Sequence, residues 1–217
     1  MKNTHKKQSL DPAQILLNTH SLVAGCDEAG AGCGAGDLVV ASVVLDPHHS
    51  IKGLTDSKLL SEKKREELFP LILEHCLEYT IVHVPPKRID DINILQARME
   101  GFAQCIGNMK LAQCAIIDGN KMPPNLPLPT ATMVKADLHL ACVSAASVLA
   151  KVTRDRLMVQ MDRMYPKYGF AKHKGYLTKV HLEALKNFGP CAIHRMSYAP
   201  VRDCKRPAKI TDFGAFS

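Results

Sequence analysis

Apolar positions in this chain follow two patterns, short runs and helical spacings. Runs or alternations at residues 22–24, 38–45, 79–84, 114–117 and 132–134 read as strands. The first continues to about Asp27. The fourth is continuous enough to be a buried central strand and ends at Asp118, and the short fifth ends at Asp137. Pro47 closes the second strand and Pro85-Pro86 the third. A helix starts after Ser61, a candidate N-cap with Glu62 in the first turn, and Pro70 is expected to kink or end it. Ile92, Leu95, Met99, Phe102, Ala103 and Ile106 mark a helix over 89–109. A long helix over 138–164 carries Ala141, Ala145, Ala146, Leu149 and Ala150, a small-residue face suited to close packing on a sheet. Another spans 178–188 and stops at Gly189-Pro190. Ala13, Ile15, Leu16 and Leu17 can dock a short lead-in helix on the core.

Length changes this picture little: 217 residues fit one domain, 1–217, with 1–20 as lead-in and 202–217 as a mobile tail. The hydrophobic share of 46% is that of a globular protein. Charge adds more. A net +7 and a pI near 9.0 point to an anionic partner, nucleic acid first, with a merely soluble basic protein as the alternative. The 8 cysteines form no CxxC pair, which argues against a zinc knuckle or redox motif and for reduced thiols in a cytoplasmic protein. The polar, lysine-rich start is not that of a signal peptide, and no apolar run is long enough to span a membrane.

The chemistry gathers around Gly25-Cys26-Asp27-Glu28-Ala29-Gly30-Ala31-Gly32. Adjacent carboxylates at a strand end are costly unless neutralised, and a divalent cation would do so. Glycines let backbone amides approach a phosphate or sugar. The alternative is a solvated acidic turn. Asp118-Gly119 is equally a turn signal, and Asp137 equally the N-cap of the long helix. If the three strands are neighbours, Asp27, Glu28, Asp118 and Asp137 converge beyond the strand ends, where open α/β sheets hold their sites. Mutual repulsion would raise their pKa values. An all-oxygen set chooses Mg²⁺ or Mn²⁺, and two such ions suit phosphodiester hydrolysis.

Among the basic residues, Lys58 sits in a loop with Thr55 and Ser57 that can hold a phosphate. Lys63-Lys64-Arg65 is balanced by Glu62, Glu66 and Glu67 and reads as a solvated face. Lys151, Arg154 and Arg156, diluted by Asp155 and Asp162, are in part ordinary helix surface. Lys172-His173-Lys174-Gly175-Tyr176 suits a nucleic-acid backbone plus a stacking contact, and His194-Arg195-Met196-Ser197-Tyr198 is a second basic–aromatic cluster. The tail aromatics Phe213 and Phe216 can dock on a partner such as a sliding clamp.

Taken in order, several stretches resemble the type 2 ribonuclease H family, ribonuclease HII. They are Gly25-Cys26-Asp27-Glu28-Ala29-Gly30, Leu54-Thr55-Asp56-Ser57-Lys58, Ile117-Asp118-Gly119-Asn120, Val134-Lys135-Ala136-Asp137, Ala145 through Asp155, His173-Lys174-Gly175-Tyr176, and Gly189-Pro190 with His194-Arg195. The resemblance covers about 25–201. It implies an α/β, ribonuclease H-like fold, with a mixed five-stranded sheet flanked by helices and extra C-terminal helices. It implies an endonuclease that cuts the RNA strand of RNA–DNA hybrids. Such enzymes also nick 5′ of single ribonucleotides in duplex DNA, leaving 3′-hydroxyl and 5′-phosphate ends. A monomer is expected.

By the same resemblance, Asp27, Glu28, Asp118 and Asp137 match the family's metal-binding catalytic acids. Gly30, Ala31 and Gly32 match its glycine-arginine-glycine loop, which reads the 2′-hydroxyl. Tyr176 matches the tyrosine that packs on the following sugar, and Lys58, Ser147 and Lys151 fall in stretches that bind the backbone. The chain departs from the family at Ala31, usually arginine, at Cys33-Gly34, usually proline-leucine, and at Asp37, usually proline. A catalytically weakened hybrid-binding protein with altered junction recognition is therefore the alternative. The sister family, ribonuclease HIII, is set aside because the residues before Gly25 are too few for its N-terminal domain.

Overall fold

The structure, a computed structural model, describes residues 11–204. Expectations for 1–10 and 205–217, the tail aromatics included, lie outside the described residues. In chain order the elements are α1 (Pro12–Thr19), β1 (Val23–Ala29), β2 (Leu38–Leu45), α2 (Glu62–His75), β3 (Cys76–Val84), α3 (Pro86–Gly107), β4 (Cys114–Asp118) and β5 (Thr130–Met133), then α4 (Ala136–His139), α5 (Ala141–Met164), α6 (Phe170–His173), α7 (Lys179–Phe188) and α8 (Ala199–Arg202). The five strands form one sheet in the order β3-β2-β1-β4-β5. β1 runs antiparallel to β2 and parallel to β4, and β4 is parallel to β5, so the sheet is mixed. No helix among the described residues is long and apolar enough to cross a membrane.

Local chemistry accounts for most boundaries. Ser61 caps α2 by accepting from Lys64 N, and Thr178 caps α7 by accepting from His181 N. β2 is apolar except at Ser42, in keeping with burial of seven of its eight residues. Of the two outcomes expected at Pro70, an end to the helix does not occur: it lies inside α2, at an exposed position where water can replace the missing main-chain bond. Three other expectations are corrected. The helix expected over 89–109 starts earlier, at Pro86, and breaks at Asn93 (φ 67°, ψ 164°). There Asn93 Oδ1 accepts from Leu95 N and Gln96 N and so recaps the chain. β1 runs two residues past Asp27, so both acids lie within the strand, paired with Ala41 and Val40 of β2. The helix expected over 138–164 is two helices parted at Leu140, and Asp137 sits in the first turn of the short α4.

The chain divides into two compact units. The first comprises the chain to Ala29, Val39–His83 and Arg98–Val152. Val39, Ala41 and Val43 of β2 pack there with Leu68 and Ile72 of α2 and with Ala145, Ala146, Val148 and Leu149 of α5. Of the small-residue face only Ala141, the first residue of α5, is exposed. In α1, Ala13 is buried with Leu16 and Leu17 packed beside it, while Ile15 faces outward. The second unit comprises Gly30–Leu38, Val84–Ala97 and the chain from Thr153. Its core joins Met158, Tyr168, Phe170, Leu185 and Val201.

Candidate active site

The acids meet through strand register. β1 and β4 are parallel with Cys26 opposite Ile117, so Asp27 and Asp118 follow on neighbouring strands. Lys135 turns the chain in a left-handed conformation (φ 59°) after β5. The N–H of Ala136, first residue of α4, then donates to Asp118 Oδ1 at 2.8 Å. This bond ties α4 to the end of β4 and brings in Asp137, 3% exposed. Burial, and then the Glu28 charge, push the Asp27 carboxyl well above the usual carboxylate range. Burial also raises Glu28, against the pull of Arg98. It raises Asp137 too, aided by the charge of Asp118. The expected repulsion contributes at Asp27 and Asp137, with burial the larger cause.

Several groups hold the acids in place. Glu28 N donates to Asp27 Oδ1 at 2.7 Å. Ser147 hydrogen-bonds the Asp27 side chain, and its hydroxyl lies 2.8 Å from that of Ser57. Arg98 Nη2 meets Glu28 Oε1 at 2.9 Å. Lys58, three-quarters exposed, places Nζ 3.7 Å from Asp137 and 3.9 Å from Asp56. Burial works against the Lys58 ammonium, but Asp27, Asp56 and Asp137 outweigh it and raise its pKa.

Among the described residues, no three His, Cys, Asp or Glu side chains stand close enough, as placed, to hold one ion. The chemistry of the set still fits a hard cation: the donors are carboxylates, and Glu28 Oε2 is buried with no hydrogen-bond partner.

The expected substrate residues Gly30, Ala31, Gly32 and Tyr176 belong to the second unit. Gly30 (φ +95°) is buried, Ala31 is half-buried and Gly32 is exposed. Their loop is held from inside. Arg195, 0% exposed, donates to the carbonyls of Gly30, Ala31 and Gly36. The Tyr198 hydroxyl also donates to Ala31 O. Arg154, 1% exposed, donates to the carbonyls of Ala35, Asp37 and Lys174. Asp90 accepts from Met196 N, Ser197 N and the Ser197 hydroxyl, anchoring the segment that carries Arg195. Tyr176 is 45% exposed, open to a stacking contact.

With this geometry in view, likeness to known proteins decides the family. The family model described as Ribonuclease HII matches residues 24–201. The chain belongs to the ribonuclease HII family. Ribonuclease HII of Marinomonas sp. (strain MWYL1) is 50% identical over 194 residues, covering 89% of this chain and 98% of its own. The crystal structure of ribonuclease H2 from Pyrococcus horikoshii OT3 matches with a TM-score of 0.73 at 28% identity, over 85% of this chain and 97% of that one. The ribonuclease HII of Archaeoglobus fulgidus, solved as a complex with PCNA, matches with a TM-score of 0.66 at 30% identity, over 76% and 87%. The chain is thus a ribonuclease H enzyme, with the α/β fold of its family.

Within this ribonuclease HII chain, the structure brings together Asp27, Glu28, Asp118 and Asp137, with Lys58 and Ser147 beside them. Lys151 lies one helical turn beyond Ser147 on α5, half-buried. Arg154 was read within a basic group that is in part helix surface, and Arg195 within a basic–aromatic cluster. Both are internal struts, because a guanidinium can be buried where several carbonyls satisfy it. Arg98 and Ser57 were not singled out beside the acids. No pattern in the sequence marks Arg98 as the partner of Glu28, seventy positions before it.

Proposed function

We propose that this chain hydrolyses the RNA strand of RNA–DNA hybrids and nicks 5′ of single ribonucleotides in duplex DNA. The products are a 3′-hydroxyl and a 5′-phosphate. The observation that carries this reading is the β1–β4 register, which sets Asp27 beside Asp118 in a member of a ribonuclease family. Asp27, Glu28, Asp118 and Asp137 would hold two divalent cations, Mg²⁺ or Mn²⁺. Such a pair, when bound, activates the attacking water and stabilises the leaving 3′-oxygen. The remaining work falls to the chain itself. Ser147, with Ser57 behind it, orients the Asp27 carboxylate. Ala136 N–H orients Asp118. Lys58 and Lys151 attract the phosphate backbone. Backbone groups of Gly30, Ala31 and Gly32 read the 2′-hydroxyl, and Tyr176 packs on the next sugar.

Two labelled duplexes test this, one with a single embedded ribonucleotide and one an RNA–DNA hybrid, each with Mg²⁺, Mn²⁺ or EDTA. Metal-dependent nicking 5′ of the lone ribonucleotide is expected. Asp118→Asn should lower the rate by at least ~10³-fold while leaving hybrid affinity nearly unchanged. Ala31 favours a second reading, since its side chain offers no donor to a phosphate. Cutting of the hybrid alone would mean that junction recognition is altered, and binding without cutting would leave a silent hybrid-binding protein. The PCNA complex of the Archaeoglobus relative supports a sliding-clamp partner for this chain as well. That none of the eight cysteines forms a disulfide supports the reducing cytoplasm as its compartment. A monomer suffices for this chemistry.

A further inference from the structure

We propose that Arg98 is a built-in cation that competes with the divalent metal for Glu28 and so sets the metal concentration at which the site fills. The inference rests on the metal-site reading above. Arg98 lies on the part of α3 that restarts at Asn93. Its Nη2 is 2.9 Å from Glu28 Oε1, and its side chain is about three-quarters buried. The same nitrogen stands 3.8 Å from where a Cβ on Gly119 would lie, so the guanidinium sits against the turn that follows Asp118. Its Nε is buried without a hydrogen-bond partner. The guanidinium therefore engages Glu28 from one side, while Glu28 Oε2 stays buried and unpartnered.

A guanidinium does not deprotonate, so titration cannot remove this charge. A metal ion drawn to Glu28 must displace Arg98 or bind beside a fixed positive charge. Lys58 also acts on Glu28, but its side chain is 75% exposed on a flexible stem and can swing into solvent. Arg98 is only 26% exposed, so its charge is held more firmly beside Glu28. In return, its charge offsets that of Glu28 when no metal is bound.

The test measures Mn²⁺ binding by isothermal titration calorimetry, together with the rise in Tm on adding Mn²⁺, in the intact chain without nucleic acid. A unit charge within ~4–6 Å changes a carboxylate's affinity for a cation by one or more powers of ten. Arg98→Met keeps the apolar stem and removes the charge. It should bind Mn²⁺ about ten-fold more tightly and show a larger Mn²⁺-induced rise in Tm. Arg98→Lys keeps the charge and should stay near the wild-type affinity. The gain from Arg98→Met should shrink in a Glu28→Gln background. Arg98→Gln serves if the Met variant does not fold. Unchanged or weaker Mn²⁺ binding in the neutral variants would overturn the proposal and make Arg98 a support for Glu28. If wild type binds no Mn²⁺, or Asp118→Asn binds it equally well, the metal-site reading fails and takes the proposal with it.

Discussion

A Cβ added at Gly30 would run into the Arg154 guanidinium, and the φ of +95° there is one that side chains rarely adopt. A Cβ at Gly32 would meet no atom within 4 Å, and its backbone lies outside the left-handed region. The fold therefore demands glycine at 30 but not at 32. Gly32→Ala should leave stability within about 1 kcal/mol of wild type, the expected sign being a small gain from a stiffer unfolded chain. If the loop's backbone approaches the ribose, the same methyl should weaken hybrid binding by about ten-fold, because it stands where the substrate must come close. Thermal melts and a hybrid-binding titration on one variant separate the two effects; an unchanged Kd would remove the loop from substrate reading. The two glycines look alike in the sequence. What separates them is a side chain more than 120 positions away, and the carbonyls that bury Arg154 and Arg195 leave no mark in residue type. The four acids were legible because carboxylates after apolar runs are conspicuous whatever surrounds them.

Elements were legible where burial alone sets them. β2 coincides with its apolar run because nearly every residue of it is buried. β1 was read two residues short, since the hydrophobic pattern stops at the acids while pairing with Val39, Val40 and Ala41 carries the strand on to Ala29. Asp137 was read as a strand end because the turn at Lys135 and the one-turn helix behind it are too short for any periodicity. Gly25 shows how closely these elements must meet. A Cβ there would collide with the backbone of Cys142 and Val143, at the start of α5. Gly25→Ala should push α5 away from β1 beside the acids. A loss of roughly 2–4 kcal/mol in urea unfolding is expected, with a fall in kcat out of proportion to any change in hybrid affinity. Near-wild-type stability would show that strand and helix can part without cost.

At the scale of the whole molecule, a net charge of +7 pointed correctly toward a nucleic-acid enzyme but said nothing of its histidines. Three of these pack in the second unit. His173 and His181 stack with ring centroids 4.5 Å apart, and His181 Nε2 lies 2.9 Å from His194 Nε2. Their partners assign the protons. His181 Nδ1 faces the Tyr176 carbonyl and must donate, so its Nε2 accepts from His194, whose Nδ1 accepts from Cys191 N. His173 likewise faces the Tyr168 carbonyl with Nε2 and accepts from Gly175 N at Nδ1. The network works only with His181 and His194 neutral, and burial lowers both to about 4. The unfolded chain, with histidines near 6.5, then binds more protons between about pH 4 and 6.5. Stability contributed by the neutral pair is complete above pH 6.5 and is lost as pH falls toward 4, by about 1–2 kcal/mol per histidine between pH 7 and 5. The raised carboxyls of Asp27, Glu28 and Asp137 oppose this, because protonating them favours the folded state in acid. The histidine share must therefore be read as a difference between proteins. His181→Gln should lower Tm at pH 7.5, where it breaks the network, and show a shallower fall than wild type between pH 7.5 and 5. Parallel Tm profiles would mean that His181 and His194 do not titrate on unfolding. Because the His181 bond holds the Tyr176 carbonyl, hybrid affinity should drop on the acid side in wild type before the protein melts.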